Sequence, residues 1–231
     1  KSFDNGTVCA SEQSIIVEDT MEERVRQEAS RLGFYFMDET QAASLAKLLF
    51  RPNGTLDPEI VGKDATYLAQ KAGFSVPFGT KVLVAREEEA GPTRPYSMEK
   101  LCPVLAFYVE PNEDAVLKKV VKVLSHEGSG HTFALHAEDI SLIRRFALQV
   151  PVSRFLVNTP AALGGIGATT GLFPALTLGC GAVGGSASSD NISPMNLINI
   201  RRIAWDLGES EQKHAYSDDM IELLAQKILE R

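Results

Sequence analysis

The feature that most constrains this chain is a repeated change of hydrophobic period. Short β-branched or aromatic runs alternate with longer segments whose apolar residues recur at helical spacing. Residues 14–18 (SIIVE), 81–85 (KVLVA), 104–109 (VLAFYV), 132–136 (TFALH) and 154–158 (RFLVN) read as strands, and 34–37 is a further short apolar run. Between them, helices are expected from Asp19 to Gly33, Asp38 to about Phe50, Asp64 to Gly73, 112–125 and 138–150. Asp19-Thr20 supplies the expected cap of the first, and Asp38 and Asp64 open the next two. In 112–125, Val116, Leu117, Val120, Val121 and Leu124 form the apolar stripe. Alternation of this kind predicts an α/β domain with a largely parallel sheet and functional loops at the strands' carboxyl ends.

Three stretches fall outside the pattern. Residues 86–103 are rich in Glu, Gly and Pro and read as a long surface connection. From 161 to 190 the composition shifts to Gly, Ala, Ser and Thr, too long a run for an idle loop. Residues 196–205 (NLINIRRIAW) alternate imperfectly, and 217–229 has the pattern of an amphipathic helix.

The 231 residues can bury one substantial core. With 23 Lys and Arg against 30 Asp and Glu, the net charge is −7 and no basic block is present. That balance argues against binding a nucleic-acid backbone and favours small-molecule or protein partners. No apolar run approaches the ~18 residues of a membrane span, and no signal-peptide pattern opens the chain. Three widely spaced cysteines, Cys9, Cys102 and Cys180, suit reduced thiols in a cytoplasmic compartment rather than disulfides or zinc.

Residues 179–184 match G-x-G-x-x-G, but a dinucleotide turn needs a strand before it and a helix after it, and Pro194 follows a Ser-rich stretch instead. His126, His131, His136 and His214 lack metal-ligand spacing, so no metal is expected. Cys102, in Leu101-Cys102-Pro103-Val104, reads as a buried small hydrophobe. Cys9 differs: it follows the polar, turn-forming Asp4-Asn5-Gly6-Thr7 and is expected to be reachable by solvent. On residue chemistry alone, a Cys–His pair of a cysteine hydrolase stays open.

Motifs carry the reading further. Residues 3–13 (FDNGTVCASEQ) resemble the nucleophile segment of the CoA-acylating aldehyde dehydrogenases, including the aldehyde dehydrogenase half of bifunctional aldehyde-alcohol dehydrogenases. Residues 97–105 (SMEKLCPVL) resemble the family's second signature, Gly130-His131-Thr132 a third element, and 157–160 (VNTP) with 176–186 a fourth. The resemblance runs over roughly 1–205 and implies the three-layer αβα catalytic domain of the aldehyde dehydrogenase-like fold. It implies a catalytic domain at 1–195 whose N-terminal NAD-binding half is missing from the chain, and a C-terminal arm with a terminal helix at 196–231 that contacts a second subunit of a homo-oligomer, a dimer or higher.

The resemblance also implies the chemistry. Cys9 attacks a short-chain aldehyde, NAD accepts the hydride, and coenzyme A takes the acyl group from the resulting thioester. The Cys9 backbone N–H and an Asn of the missing half would form the oxyanion hole, so the fragment alone is expected to be inactive. Glu99 is expected to bind the nicotinamide ribose, and His131 to polarise or deprotonate a thiol. A nucleophile of this kind predicts a low-pKa Cys9 that alkylates at pH 6. The run 164–185 is expected to wall the acyl or CoA entrance or to contact a subunit. The alternatives are a hydrolytic aldehyde dehydrogenase and an oligomerisation module of the same fold without chemistry.

Overall fold

The computed structural model describes residues 1–206 and Gln226. The elements run β1 (Ser14–Glu18), α1 (Asp19–Arg31), β2 (Phe34–Phe36), α2 (Glu39–Leu49), α3 (Ala65–Lys71), β3 (Val82–Arg86), β4 (Val104–Glu110), α4 (Glu113–His126), β5 (Gly130–Leu135), α5 (Ile140–Gln149), β6 (Val152–Val157) and α6 (Ala161–Gly165). The chain divides into two compact units, Lys1–Ser193 and Pro194–Arg231.

Side-chain oxygens start most of the long helices. Asp38 and Gln41 form a reciprocal capping box on α2, while Asp64, Asn112 and Asp139 accept the N–H groups of Tyr67, Ala115 and Ser141. Helix α1 is the exception to the expected cap. Asp19 is its first helical residue and Glu18 occupies the cap without a side-chain bond, so Asp19 and Glu22 act through their charge on the helix dipole.

Strands β1, β4, β3 and β2 pair in that order, all parallel, and β5 pairs with β6, also parallel. Alternation along β3 and β4 then sorts the core into two faces. Val82, Val84, Leu105 and Phe107 pack with Val25 of α1 on one face. Leu83, Ala85, Val104, Ala106 and Tyr108 pack with Leu45 and Leu49 of α2, Leu68 and Ala69 of α3 and Val123 of α4 on the other. The result is the expected αβα layering around a parallel sheet. Leu117 and Val120 of α4 meet Phe146 of α5 over Phe133 and Phe155, which attaches β5 and β6 to this core.

The 86–103 connection departs from expectation in its second half. Tyr96, Ser97, Lys100 and Cys102 are buried, and the Tyr96 hydroxyl donates to the Ala42 carbonyl at 2.6 Å. Polar composition marked it as surface, yet its polar groups find partners inside, which removes the penalty for burial.

In the second unit, a 3-10 turn spans Pro194–Leu197 and residues 199–206 take no regular structure. Residues 196–205 form no strand within this chain. Leu197, Ile200, Ile203 and Trp205 are exposed. The helix expected at 217–229 lies outside the described residues, Gln226 apart. No described helix is long and apolar enough to cross a membrane.

Candidate active site

Cys9 sits in the turn that hands the chain from a 3-10 segment, Phe3–Gly6, to β1, and its side chain is exposed as expected. The Ser11 N–H closes the turn on the Val8 carbonyl at 2.8 Å. Gly6 is dictated twice over: its φ is +75°, and a Cβ there would lie 2.8 Å from the Cys102 carbonyl oxygen. That close approach brings the cysteine turn against the 95–103 segment. Glu12 secures the other side by accepting the Ala161 N–H of α6 at 2.8 Å.

The 95–103 segment presents Glu99. Lys100, which has no exposed surface, donates from Nζ to the carbonyls of Tyr96 at 2.5 Å and Met98 at 2.6 Å. Burial pulls its pKa down to about 7. The Lys100 N–H donates to Gln13 Oε1 at 2.8 Å, and the Glu99 N–H donates to the Glu127 carboxylate. Backbone on both sides of Glu99 is thus fixed, while its own exposed carboxylate accepts no hydrogen bond from a described residue.

Cys9 and Glu99 are close enough for their charges to interact, and this corrects the expected acidity of Cys9. Partial burial pushes the thiol pKa up, and the Glu99 carboxylate pushes it further. The N–H groups of Ala10 and Cys9 and the Arg154 guanidinium oppose this without reversing it. In this structure the surroundings of Cys9 thus work against the expected low pKa. The Glu99 carboxyl is itself raised by burial and by Glu127. Glu99→Gln removes the repulsion and is expected to move the pH profile of Cys9 alkylation downward. Iodoacetamide labelling rates followed by mass spectrometry across pH check this; an unmoved profile refutes the coupling.

His131 lies near the start of β5, where its Nδ1 is 2.9 Å from Thr132 Oγ1. It makes no hydrogen bond to Cys9. Burial and the Arg154 charge lower its pKa, which favours the neutral ring. Arg154 is the residue the sequence reading missed. It stands directly across from Thr132 in the β5–β6 register and is only 2 % exposed. Its Nε donates to Thr132 Oγ1 at 3.1 Å, Nη1 to the Ser189 carbonyl at 3.2 Å and Nη2 to the Gly179 carbonyl at 2.7 Å. Its charge acts on Cys9, on Cys180 and on His131.

The Gly-rich stretch folds back on itself around these groups. Gly179 N–H donates to Asp190 O and Gly181 N–H to Ser188 O, both at 2.9 Å. Residues 179–184 carry a three-residue 3-10 turn, Ala182–Gly184, rather than a strand–turn–helix, so they form no dinucleotide fingerprint. A Cβ on Gly165 would lie 3.1 Å from Ala10 Cβ and 3.5 Å from Thr132 Cγ2, which places the β5–β6 groups beside the cysteine turn. An arrangement of exposed thiol, free carboxylate, buried guanidinium and neutral imidazole can hold a covalent acyl group and polarise its carbonyl.

No protein-family model matches the chain. It is 37% identical over 213 residues to aldehyde-alcohol dehydrogenase 2 of Entamoeba histolytica, covering 88% of this chain and 24% of that protein. A crystal structure of a probable aldehyde dehydrogenase from Listeria monocytogenes is 54% identical with a TM-score of 0.86, over 91% of this chain and 47% of that one. An acetylating aldehyde dehydrogenase from Geobacillus thermoglucosidasius is 41% identical, also with a TM-score of 0.86, over 90% and 46%. The chain thus spans from about a quarter to about half the length of these proteins. Over the stretch that they share, acetylating aldehyde dehydrogenases are homologues of this chain.

Proposed function

We propose that the protein containing this chain oxidises a short-chain aldehyde to acyl-CoA with NAD, through a thioester on Cys9. The observation that carries this reading is the Cys9 thiol, exposed in a pinned turn and within reach of the charges of the Glu99 carboxylate and the buried Arg154 guanidinium. The relatives named for acetylating activity support it.

Cys9 Sγ, as thiolate, attacks the aldehyde carbon, and the carbonyl π pair moves onto oxygen, where the Cys9 N–H can hold it. NAD, when bound, supplies the acceptor for the departing hydride. Glu99 fits the ribose role, because its exposed carboxylate is unspent and its backbone is clamped on both sides. The acyl group then rests on Cys9 as a thioester. The CoA thiolate attacks that carbon and Cys9 leaves as thiolate, one thioester replacing another. His131 acts at the carbonyl or at the CoA thiol, and the folded Gly-rich stretch walls the acyl side.

An NADH-release assay on the intact protein with short aldehydes tests the proposal. CoA-dependent NADH formation with acyl-CoA as product is expected. A second reading has one specific observation in its favour: Glu99 lies close enough to Cys9 for their charges to interact and its carboxyl is raised, as a base for water would be. Free acid formed without CoA would select that hydrolytic reading.

A further inference from the structure

The role of His131 depends on which ring nitrogen carries the proton, and the hydrogen bonds around Thr132 decide it. Thr132 Oγ1 has two neighbours, Arg154 Nε at 3.1 Å and His131 Nδ1 at 2.9 Å. Arg154 can only donate, since a guanidinium has no acceptor. The hydroxyl therefore spends one of its two lone pairs on Arg154, and its single hydrogen goes unspent among the described residues unless His131 Nδ1 takes it. Among the described residues the only acceptor at Thr132 Oγ1 is His131 Nδ1.

We infer that Arg154 and Thr132 form a relay that locks His131 with Nδ1 as acceptor and Nε2 as donor. The free ring nitrogen then presents an N–H to the site and not a lone pair. Of the two actions left open for His131, the lock selects polarising a carbonyl oxygen by hydrogen-bond donation over taking the proton of a thiol. Thr132 and Arg154 are positioning residues in this scheme and touch no substrate.

Two features make the lock rigid. The strand register sets Thr132 opposite Arg154, so their side chains share one face of the β5–β6 pair. Arg154 is itself tied at both Nη atoms to carbonyls of the Gly-rich stretch, so its Nε cannot turn away without breaking those bonds. The described residues give it no carboxylate partner, so a positive charge persists beside the ring and favours its neutral form.

The inference rests on the proposed function only for what His131 does to substrate; the tautomer itself is measurable without turnover. Nitrogen-15 NMR of histidine-labelled intact protein, with the His131 signals assigned by His131→Gln, reads it directly. The expected spectrum at neutral pH has His131 as the Nε2–H tautomer. Thr132→Val removes the relay and is expected to give a mixture of tautomers, whereas Thr132→Ser retains the single form. An Nδ1–H tautomer in the wild type, or an unchanged tautomer in Thr132→Val, overturns the relay whatever the enzyme does with aldehydes. In turnover, Thr132→Val is expected to lower the rate of acyl transfer to CoA about tenfold, with recovery in Thr132→Ser. Equal rates in all three proteins overturn the action of His131 on substrate, while the tautomers decide the relay. The tenfold figure is the scale of ~1.4 kcal/mol for one oriented donor.

Discussion

Replacing Cys9 with Ala in the intact protein is expected to reduce CoA-dependent aldehyde oxidation by roughly 10³- to 10⁶-fold, the range seen when a covalent nucleophile is removed and binding is kept. The loss should fall on kcat, because the Ala side chain can fill the same turn without moving it: the turn is held by Gly6, by the Ser11 N–H and by Glu12, and not by the thiol. Thermal stability should change little, since the thiol is exposed and contributes little buried area. Stopped-flow NADH measurements separate the steps further: the wild type is expected to give hydride transfer without CoA up to one turnover per site, and Cys9→Ala none. Unchanged activity in Cys9→Ala would leave this chain as a non-catalytic module of the same fold.

Much of the fold was legible because several helix starts carry their own chemistry. Asp38 and Asp64 announced two helices and the apolar stripe of 112–125 a third, and the structure uses Asp38, Asp64 and Asn112 as caps. The strands were visible from β-branched runs, displaced at their ends by one or two residues. What failed was local chemistry judged without tertiary partners. Polar composition at 86–103 suggested solvent, yet Lys100 and Ser97 satisfy themselves on backbone carbonyls inside the protein.

The site shows the same division. The structure brings Cys9 and Glu99 together from positions far apart in sequence, and places His131 near them through Arg154 and not by direct contact. Motif resemblance named all three residues as candidates but could not give the acidity of the thiol, which depends on its burial and on a carboxylate from across the fold. Arg154 was passed over because it sits in a strand-like run and was counted with it. The signal was present: Arg154 and Leu156 alternate on the buried face of β6, and an arginine on that face needs acceptors. The carbonyls of Gly179 and Ser189 supply them, so the Gly-rich stretch is part of the site's scaffold.

That scaffold predicts the largest stability effect outside the hydrophobic core. Gly130→Ala introduces a Cβ 1.9 Å from the Cys180 carbonyl oxygen and 2.7 Å from the Gly184 nitrogen, at a residue whose φ is +76°. Both obstacles are backbone, so neither can turn aside as a side chain would. Strain at a left-handed non-glycine residue and overpacking together cost roughly 2–6 kcal/mol. For a domain of this size that corresponds to a fall in Tm of roughly 10 °C. Gly54→Ala is the control, because Gly54 also has a positive φ, +81°, but nothing stands within 4 Å of its Cβ position. It should lose about 1 kcal/mol, through backbone strain alone. Equal losses in the two variants would show that the Gly130 effect is conformational only and that the Gly-rich stretch does not press on β5. A larger loss in Gly130→Ala should come with a specific functional defect. Displacing Gly130 moves His131 and the carbonyls that hold Arg154, while the Cys9 turn is fastened to other elements. Cys9 should therefore still alkylate in Gly130→Ala, and acyl transfer to CoA should fail.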